Sequence, residues 1–357
     1  MNSEKRILIL TPTLLPSVTG NAMTVERWRQ SLSKKGFRVE ALPTEGSNTS
    51  DLLNHLKRFR PELVHVHHAF RAGTLLLRPP FVSERNGTPL VVSPSGTDIN
   101  LDLKDPDRKE SVLRVFRMAR VIVALGAETE RQLKQHMEDL TDRIVNVPKA
   151  FSWLGHESYD LRTVAGCCPG DVLFFLPAGI RPVKGNLECL AAMARLHALR
   201  PNVRVVFAGP ALDKDYAARF ETEVRRFKPL ACWIPLIPPE AIRSAFESAD
   251  VVLNTSFSEG LSNSLLEAIG AGCPILASDI PGNHLPVLGE DGDPPTGYLF
   301  DPHGQDDFIS YAIKLIDDER IRKVFSQASR LRASQWPNPE AEADGLIAAY
   351  RRAFGES

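Results

Sequence analysis

The sequence predicts an α/β protein made of two doubly wound, parallel-sheet domains, and three observations lead to this fold class. The chain has 357 residues, which exceeds what one hydrophobic core ordinarily holds. Short apolar runs rich in β-branched residues alternate with helix-patterned segments along the whole chain, as in parallel sheets that helices cover on both faces. The alternation lapses between residues 150 and 170, which indicates a linker between two domains.

The predicted strands are short runs of mostly apolar residues, a pattern typical of strands that are buried on both faces. In the first half they are Arg6–Thr11, Arg38–Leu42, Leu63–His67, Pro89–Ser93, Val121–Leu125 and Ile144–Val147. In the second half they are Val172–Pro177, Val203–Ala208, Ala231–Leu236, Val251–Asn254, Pro274–Ala277 and Gly297–Phe300. Two such sets predict two Rossmann-like domains.

Helix-patterned segments lie between these strands. Examples in the first half are Met23–Lys35, Thr49–Phe59 and Arg108–Ala119. In the second half they are Asn186–Leu199, Asp213–Phe227, Pro239–Glu247, Ser262–Ala271, Asp306–Asp317 and Glu319–Ser334. A last amphipathic helix is predicted within Pro337–Phe354, after a Trp-Pro-Asn-Pro break. We therefore predict one domain at residues 1–160, a second at residues 161–335, and a C-terminal helix at residues 336–357 that packs back toward the first domain.

The composition excludes several classes of protein. Hydrophobic residues make up 43% of the chain and charged residues 24%, which excludes a disordered protein. No apolar run approaches the roughly 18 residues of a membrane span, and Ile7–Leu10 is too short for a signal-peptide core. The five cysteines are an odd number without metal-type spacing, which favours a reduced, cytoplasmic protein.

The charge is uneven along the chain. Residues 1–150 contain 23 Lys and Arg against 17 Asp and Glu, whereas the net charge of the whole chain is -1. A basic first half suits an anionic acceptor or peripheral contact with a membrane surface. The excess is modest, however, so a mildly uneven solvated surface is the simpler interpretation, and a nucleic-acid partner is not expected.

The first candidate site is the loop Thr11–Asn21, which follows the first predicted strand. Ligands of open α/β sheets bind at the carboxyl ends of strands. Gly20 permits close approach of the backbone to a ligand, and the next helix offers N–H groups to an anion, although a tight turn alone also explains this glycine. Gly20-Asn21 is not the G-x-G-x-x-G fingerprint, which disfavours an NAD-dependent dehydrogenase.

The second candidate site is the loop Gly179–Gly185, at the end of the first strand of the second half. Arg181 and Lys184 lie three residues apart between two glycines. Two cations at this place suit a diphosphate leaving group, whereas two solvated charges on a turn are the alternative.

The third candidate site is Ser256–Ala268, which follows the strand Val251–Asn254. Gly260 permits a sharp turn from strand to helix, and the helix N-terminus carries a partial positive charge. Glu259 lies on the loop, and Glu267 lies on the helix eight residues later. Carboxylates accept paired hydrogen bonds from vicinal hydroxyls, so one suits a ribose and the other a hexose.

Together these residues resemble glycosyltransferase family 4, whose members have the GT-B architecture of two Rossmann-like domains with an inter-domain cleft. Glu259 and Glu267 match the E-x7-E element of that family. The segments Ala271–Ser278 and Gly297–Phe300 resemble its A-G-x-P-V-[IV]-A-[ST] and G-x-L-[FV] strands. The resemblance covers nearly the whole chain.

The first half is similar to a subgroup that includes the vertebrate glycosyltransferase one domain-containing proteins and the bacterial selenosugar synthases. The shared segments are Gly20–Arg27, Ser95–Asp98, Arg181–Lys184 and Ile280–Asn283. Most family members place four residues between the phosphate-binding Arg and Lys, whereas this chain, like the subgroup, places two.

The resemblance implies that Arg181 and Lys184 bind the donor diphosphate, that Glu267 holds the ribose hydroxyls and that Glu259 holds the transferred sugar. Arg181, Lys184 and Glu259 are thus the expected catalytic residues. The residues expected to bind substrate are Gly20, Asn21, Ser95, Thr97, Asp98, Gly179, Gly260, Leu261, Ser262, Asn263 and Glu267. No metal is expected, because Arg and Lys do the work that a metal would do.

Many family members have a His near the donor sugar in an H-G-x-D run, where this chain has Ser95–Asp98. This leaves the identity of the sugar open, and Asp98 is a candidate to substitute in sugar or acceptor binding. His65, His67 and His68 suggest a metal site, but alternation with valines on a strand favours core histidines instead. A position of His67 or His68 near the cleft is the only part of this hypothesis to test.

We therefore expect a retaining, metal-independent glycosyltransferase that moves a hexose-type sugar from a nucleotide diphosphate sugar, with UDP as the expected nucleotide and no cofactor. The acceptor stays open among a lipid, a glycan, a protein and a small thiol or selenol. One alternative is a selenosugar synthase-like transfer to a sulfur or selenium nucleophile. Two others are a GT-B-fold nucleotide-sugar epimerase and a non-catalytic nucleotide-sugar-binding protein.

Overall fold

The computed structural model describes residues 5–84 and 87–356, and the chain forms two compact units. The first unit comprises Met1–Phe151 and Pro337–Ser357, and the second comprises Ser152–Trp336. Each unit contains one six-stranded sheet, and all neighbouring strands in both sheets are parallel. This confirms the α/β class and the two Rossmann-like sheets that the sequence predicts.

The sheet of the first unit has the strand order β2-β1-β3-β4-β5-β6. Its strands are β1 (Arg6–Thr11), β2 (Arg38–Pro43), β3 (Leu63–His67), β4 (Leu90–Ser93), β5 (Val121–Leu125) and β6 (Ile144–Val147). The helices that accompany them are α1 (Gly20–Lys34), α2 (Thr49–Phe59), α3 (Pro79–Glu84), α4 (Pro106–Met118) and α5 (Ala127–His136).

The sheet of the second unit has the strand order β12-β11-β10-β7-β8-β9. Its strands are β7 (Val172–Pro177), β8 (Val203–Ala208), β9 (Ala231–Ile234), β10 (Val251–Asn254), β11 (Ile275–Ser278) and β12 (Gly297–Phe300). Its helices are α6 (Leu161–Val164), α7 (Asn186–Leu199), α8 (Lys214–Arg226), α9 (Ile242–Glu247), α10 (Asn263–Gly270), α11 (Pro281–Leu288), α12 (Gln305–Asp317) and α13 (Glu319–Gln335).

The strands are uniformly apolar because each sheet has a core on both faces. In β1, Leu8 packs into one cluster and Ile7 and Ile9 pack into another, which lies on the opposite face. Alternate residues of a strand point to opposite faces, so both sets must be apolar.

The C-terminal helix, α14 (Pro339–Phe354), covers one face of the first sheet. Its Leu346 and Tyr350 are fully buried against residues of β1 and α1. The Glu342 carboxylate accepts two hydrogen bonds from the Arg27 guanidinium of α1, at 2.6 and 3.0 Å. This paired arrangement satisfies two buried charges that would otherwise be costly.

The boundary between the units differs from the one that the sequence suggests at residue 160. The Glu157 N–H donates to the Glu240 carbonyl at 3.0 Å, and the Tyr159 N–H donates to the Ser244 hydroxyl at 2.9 Å. These bonds tie residues 152–160 to the second unit, although their sequence has no periodic pattern.

Several elements also begin or end differently from the prediction. Helix α1 begins at Gly20 rather than Met23, because the Thr19 hydroxyl accepts from the Ala22 N–H at 3.2 Å and caps the helix there. Strand β9 ends at Ile234, before a proline that has no N–H to donate. Helix α11 is not among the helices predicted for the second half, since it contains two prolines. No helix within the described ranges is long and apolar enough to cross a membrane.

Candidate functional site

The second sheet reverses its winding direction between β7 and β10. From β7 the chain adds β8 and β9 on one side, and it then returns to place β10 on the other side of β7. The loops that follow these two neighbouring strands therefore diverge, and such a switch point is where open α/β sheets bind ligands. Both expected donor segments, Gly179–Gly185 and Ser256–Ala268, begin there.

The conformation of the loop after β7 is fixed by a short helical turn, a glycine and a side-chain hydrogen bond. Pro182–Lys184 forms one 3-10 turn, and Gly185 follows it with φ of +63°. A Cβ at Gly185 would lie 2.4 Å from the Thr255 carbonyl oxygen, so no other residue fits this position without a shift of backbone. The Asn186 side chain accepts from the Arg181 N–H at 3.2 Å and closes the loop from within.

Two hydrogen bonds join this loop to the loop after β10. The Thr255 hydroxyl donates to the Lys184 carbonyl at 2.9 Å, and the Phe257 N–H donates to the Val183 carbonyl at 2.9 Å. The backbone around Lys184 is thereby held against the segment that leads to Glu259.

Lys184 and Glu259 form an ion pair between Nζ and Oε1. The side chains are only 17% and 14% exposed, and the Ser256 hydroxyl donates to the same carboxylate oxygen at 2.8 Å. Burial acts to raise the pKa of Glu259, but Lys184, with Ser256 and Arg181, holds that pKa below its usual range. Glu259 is therefore ionised at neutral pH.

Helix α10 begins directly after this loop. Ser262 precedes its first residue, Asn263, and the Ser262 hydroxyl accepts from the Asn254 amide at 3.0 Å. This contact anchors the helix N-terminus at the carboxyl end of β10, and the partial positive charge of a helix N-terminus favours an anion. Glu267 lies two turns along the helix and is half-buried.

The segment after β11 packs against the loop after β10. A Cβ at Gly282 would lie 2.3 Å from the Gly260 carbonyl oxygen, so α11 approaches the loop as closely as only glycine allows. Asn283 is fully buried and donates to the carbonyl and the hydroxyl of Ser278, at 2.9 and 3.2 Å. The Ser278 hydroxyl in turn donates to the Ser256 carbonyl at 2.6 Å.

The other expected residues of this loop set are partly exposed. Gly179 follows β7 and lies against the Leu212 side chain, where a Cβ would come within 2.5 Å of Cδ1. Gly260 and Leu261 are half-buried between Glu259 and α10. Arg181, Lys184, Glu259 and the α10 N-terminus thus share one edge of the second sheet.

The first unit contains the remaining expected residues, and its own switch point lies between β1 and β3. Gly20 is exposed and Asn21 half-buried in the first turn of α1. The loop before them is held by a 2.6 Å hydrogen bond between the Thr13 and Thr19 hydroxyls. The helix N-terminus therefore has a defined position at this edge.

Asp98 is fully buried, and its carboxylate holds two loops together. It accepts from the Ser95 and Gly96 N–H groups at 3.0 Å each and from the Ala69 N–H at 2.8 Å. Burial raises the pKa of Asp98 to about 6, against the opposing effect of these backbone donors. The carboxylate thus has a structural task in the loop after β4, and Ser95 and Thr97 are the less buried residues there.

His68 follows β3 with φ of +87°, an uncommon conformation for a residue other than glycine. Its Nε2 lies 3.0 Å from the Thr97 hydroxyl, and its ring is fully buried beside Asp98. A strained backbone held by such contacts is typical of functional positions.

His65 and His67 form a buried polar chain with Ser93 and Tyr350. His65 contacts the Tyr350 hydroxyl at 2.8 Å and the Ser93 hydroxyl at 2.9 Å, and His67 contacts Ser93 at 3.0 Å. The Trp28 ring stacks on His65 at 5.0 Å. Burial lowers the pKa of His65 to about 3, so the ring is neutral at pH 7. Among the described residues, no group of three or more His, Cys, Asp and Glu side chains is arranged to hold a metal ion.

Thr255, Ser256 and Asn186 position the site, and the sequence reasoning assigned none of them a role. Thr255 makes its contact across the loops of two different strands, whereas Ser256 and Asn186 make theirs within their own loops, to Glu259 and to Arg181. The segment Ile280–Asn283 was recognised as shared with a subgroup, and the contacts of Gly282 and Asn283 give it a physical role.

Comparison with known proteins identifies two family matches. The family described as "Glycosyl transferases group 1" matches residues 169–332, and the one described as "Glycosyltransferase Family 4" matches residues 17–150. A glycosyltransferase 1 domain-containing protein 1 of Xenopus tropicalis is 26% identical over 335 residues, which are 90% of this chain and 91% of that protein.

Solved structures support the same fold. Sucrose-phosphate synthase of Thermosynechococcus elongatus matches with a TM-score of 0.80 and 17% identity, over 99% of this chain and 100% of that one. Anabaena HepE in complex with UDP and glucose matches with a TM-score of 0.76 and 15% identity, over 97% of this chain and 99% of that one.

Proposed function

Because the chain belongs to glycosyltransferase family 4, we propose that it transfers a hexose-type sugar from a UDP-sugar, with retention and without a metal ion. Sugar transfer from a nucleotide sugar to an acceptor is the activity of a group 1 glycosyltransferase with the GT-B fold. The observation that carries the finer proposal is the convergence of Arg181, Lys184 and Glu259 at the switch point of the second sheet.

Each charged residue at this edge of the sheet has a different role in the proposed donor site. Arg181 and Lys184 bind the diphosphate and stabilise the negative charge that develops when the glycosidic bond breaks. Glu259 and the N–H groups at the start of α10 bind hydroxyls of the transferred sugar. Glu267 accepts from the two ribose hydroxyls. Because the cations are supplied by side chains, we propose that no metal is needed for the leaving group.

Two features support retention and the UDP nucleotide. Glu259 is engaged in an ion pair with Lys184. We therefore propose that the acceptor itself attacks the sugar, from the face that the diphosphate leaves. HepE, which shares the fold, binds UDP and glucose, and this makes UDP the first nucleotide to test.

We propose that the first unit binds the acceptor, at the edge formed by Gly20, Asn21, Ser95 and Thr97. The half-buried hydroxyls of Ser95 and Thr97 are suited to a polar, neutral group. A small sulfur or selenium nucleophile stays the second candidate, supported by the shared subgroup segments alone.

The test is a thermal-shift screen against nucleoside diphosphates and their sugars, since a ligand that binds only the folded protein raises its melting temperature. We expect UDP and one UDP-hexose to give the largest shifts. The selected nucleotide sugar is then incubated with and without candidate acceptors, and the products are resolved by mass spectrometry and NMR.

Three results separate the alternatives. Release of UDP that increases with an acceptor, with the α-anomer as product, supports the proposal. Conversion of the sugar without an acceptor indicates an epimerase, and binding without any turnover indicates a non-catalytic protein. No shift with any nucleotide would contradict the donor site itself.

A further inference from the structure

We propose that the Lys184–Glu259 pair makes the donor site discriminate between a nucleotide sugar and the bare nucleoside diphosphate that remains after transfer. With the sugar present, Glu259 stays ionised and accepts from sugar hydroxyls. With the bare diphosphate, Glu259 takes up a proton from solvent, which weakens binding and favours product release. This inference rests on the proposed donor site.

The geometry of the ligand-free pair is the first step of the argument. Lys184 Nζ contacts Glu259 Oε1, and both side chains are largely shielded from water, at 17% and 14% exposure. The backbones cannot drift apart easily, because Thr255 holds the Lys184 carbonyl at 2.9 Å and Phe257 holds Val183 at 2.9 Å. Any ligand that engages Lys184 therefore acts within contact distance of Glu259.

The second step concerns the charges around Glu259. The largest charges acting on it are Lys184 and Arg181, both from the segment after β7. Glu267 is the acidic group of α10, and the exposed pair of His284 and Asp279, joined at 2.6 Å, flanks the start of α11. The ionised state of Glu259 thus depends chiefly on the two cations that we assign to the diphosphate.

The third step is the effect of the ligand. A diphosphate that engages Lys184 and Arg181 compensates their charge and brings negative charge toward a buried carboxylate. Both effects raise the pKa of Glu259. The hydroxyls of a nucleotide sugar offset this rise, because donors to a carboxylate favour its ionised form. A bare diphosphate has no such donors. When it binds, Glu259 is therefore either protonated or left as a buried charge without compensation, and both weaken binding.

Isothermal titration calorimetry with UDP tests this inference. The number of protons taken up is obtained from titrations in buffers of different protonation enthalpy, at pH 5 and pH 6. The protein is compared with Glu259→Gln, which keeps the side-chain shape, and with Glu221→Gln, a control at an exposed position of α8. Protonation of the UDP phosphate is common to all three proteins and cancels in the difference.

We expect the unmodified protein and Glu221→Gln to take up more protons on binding UDP than Glu259→Gln does. We also expect Glu259→Gln to bind UDP about tenfold more tightly, which corresponds to a difference of about one pKa unit, and to bind UDP-glucose no more tightly than the unmodified protein. Ser256→Ala removes a donor at 2.8 Å from the carboxylate, so it should increase the proton uptake.

The outcomes distinguish this inference from the donor site on which it rests. If UDP binds with the same proton uptake and affinity to the unmodified protein and to Glu259→Gln, the discrimination is wrong and the donor site stands. If neither protein binds UDP, UDP-glucose or any other nucleoside diphosphate, the donor site is wrong and the inference fails with it. Unchanged proton uptake in a folded Ser256→Ala protein also counts against the inference.

Discussion

The Thr255 hydroxyl donates to the backbone carbonyl of Lys184 at 2.9 Å. Thr255 follows β10 and Lys184 follows β7, so this bond spans the two loops at the switch point of the second sheet. It holds the proposed diphosphate-binding lysine beside Glu259. The effect of a cation on the rate depends on its position relative to the negative charge that develops in the transition state. Because this bond positions Lys184, its removal tests the proposed site directly.

Thr255→Val preserves the shape of the side chain but removes the hydroxyl. The Lys184 carbonyl then loses a partner in a half-buried place, which costs about 1–3 kcal/mol. We expect kcat with the nucleotide sugar to fall about tenfold and the melting temperature to fall by a few degrees. Steady-state kinetics and thermal unfolding measure both. Thr255→Ser keeps the hydroxyl and should recover most of the rate, whereas equal losses in both variants would argue against this bond.

Lys184→Ala should lower turnover more than donor affinity. The leaving diphosphate gains negative charge in the transition state, so removal of one positioned cation should reduce kcat by about 10²–10³-fold. The measurement is kcat and KM for transfer from the nucleotide sugar. Lys214→Ala, on the exposed start of α8, is the matched control and should leave both constants unchanged. An unchanged kcat for Lys184→Ala is incompatible with its proposed role.

Glu267→Ala should weaken binding of the nucleotide. A carboxylate that accepts from two ribose hydroxyls contributes about 1.5–3 kcal/mol, which corresponds to a loss of roughly 10- to 150-fold in affinity. Calorimetry with UDP measures this loss. Glu221→Ala, on an exposed face of α8, provides the control. Equal affinity of the Glu267→Ala protein and the unmodified protein for UDP would exclude the ribose contact.

Glu342→Ala should destabilise the first unit. It leaves the Arg27 guanidinium, whose side chain is 6% exposed, without its carboxylate. Breaking a buried ion pair by removal of one partner costs about 3–5 kcal/mol. We expect a lower melting temperature by calorimetry, with the loss confined to one of the two transitions if the units unfold separately. Glu340→Ala, an exposed position of the same helix, should have little effect.

His65 should make the protein sensitive to acid. Its pKa is about 3 in the folded protein because of burial, against about 6.5 in an unfolded chain. Between these values the unfolded state binds more protons, so this contribution to stability is complete above pH 6.5 and is lost as the pH falls. The loss approaches about 1.4 kcal/mol for each pH unit.

Urea unfolding of the protein and of His65→Gln at pH 7, 6 and 5 measures this contribution. The glutamine retains polar atoms for Tyr350 and Ser93 but does not titrate, so its stability should fall less steeply with acid. Asp98 titrates in both proteins and cancels in the difference. Parallel pH profiles would show that His65 is not the group responsible.

The strands, and the motif of the proposed donor site, could be recognised in the sequence because they depend on local patterns. A parallel strand that is covered on both faces must be apolar throughout, as Val251–Asn254 and Val172–Pro177 are. The Glu259 to Glu267 spacing is also local, since one loop and one helix contain both residues. The proline-containing helix α11 lacks such a pattern, and for that reason the sequence does not predict it.

By itself, the sequence determined the fold class, the family and the set of charged residues that we propose for the donor site. Only the tertiary structure decided which of them meet. The neighbouring positions of β7 and β10 bring Lys184 against Glu259, although 75 residues separate them in the chain. The return of α14 to the first sheet places Glu342 on Arg27. Both contacts arise from strand order and helix packing, which non-local burial selects and no short window of sequence encodes.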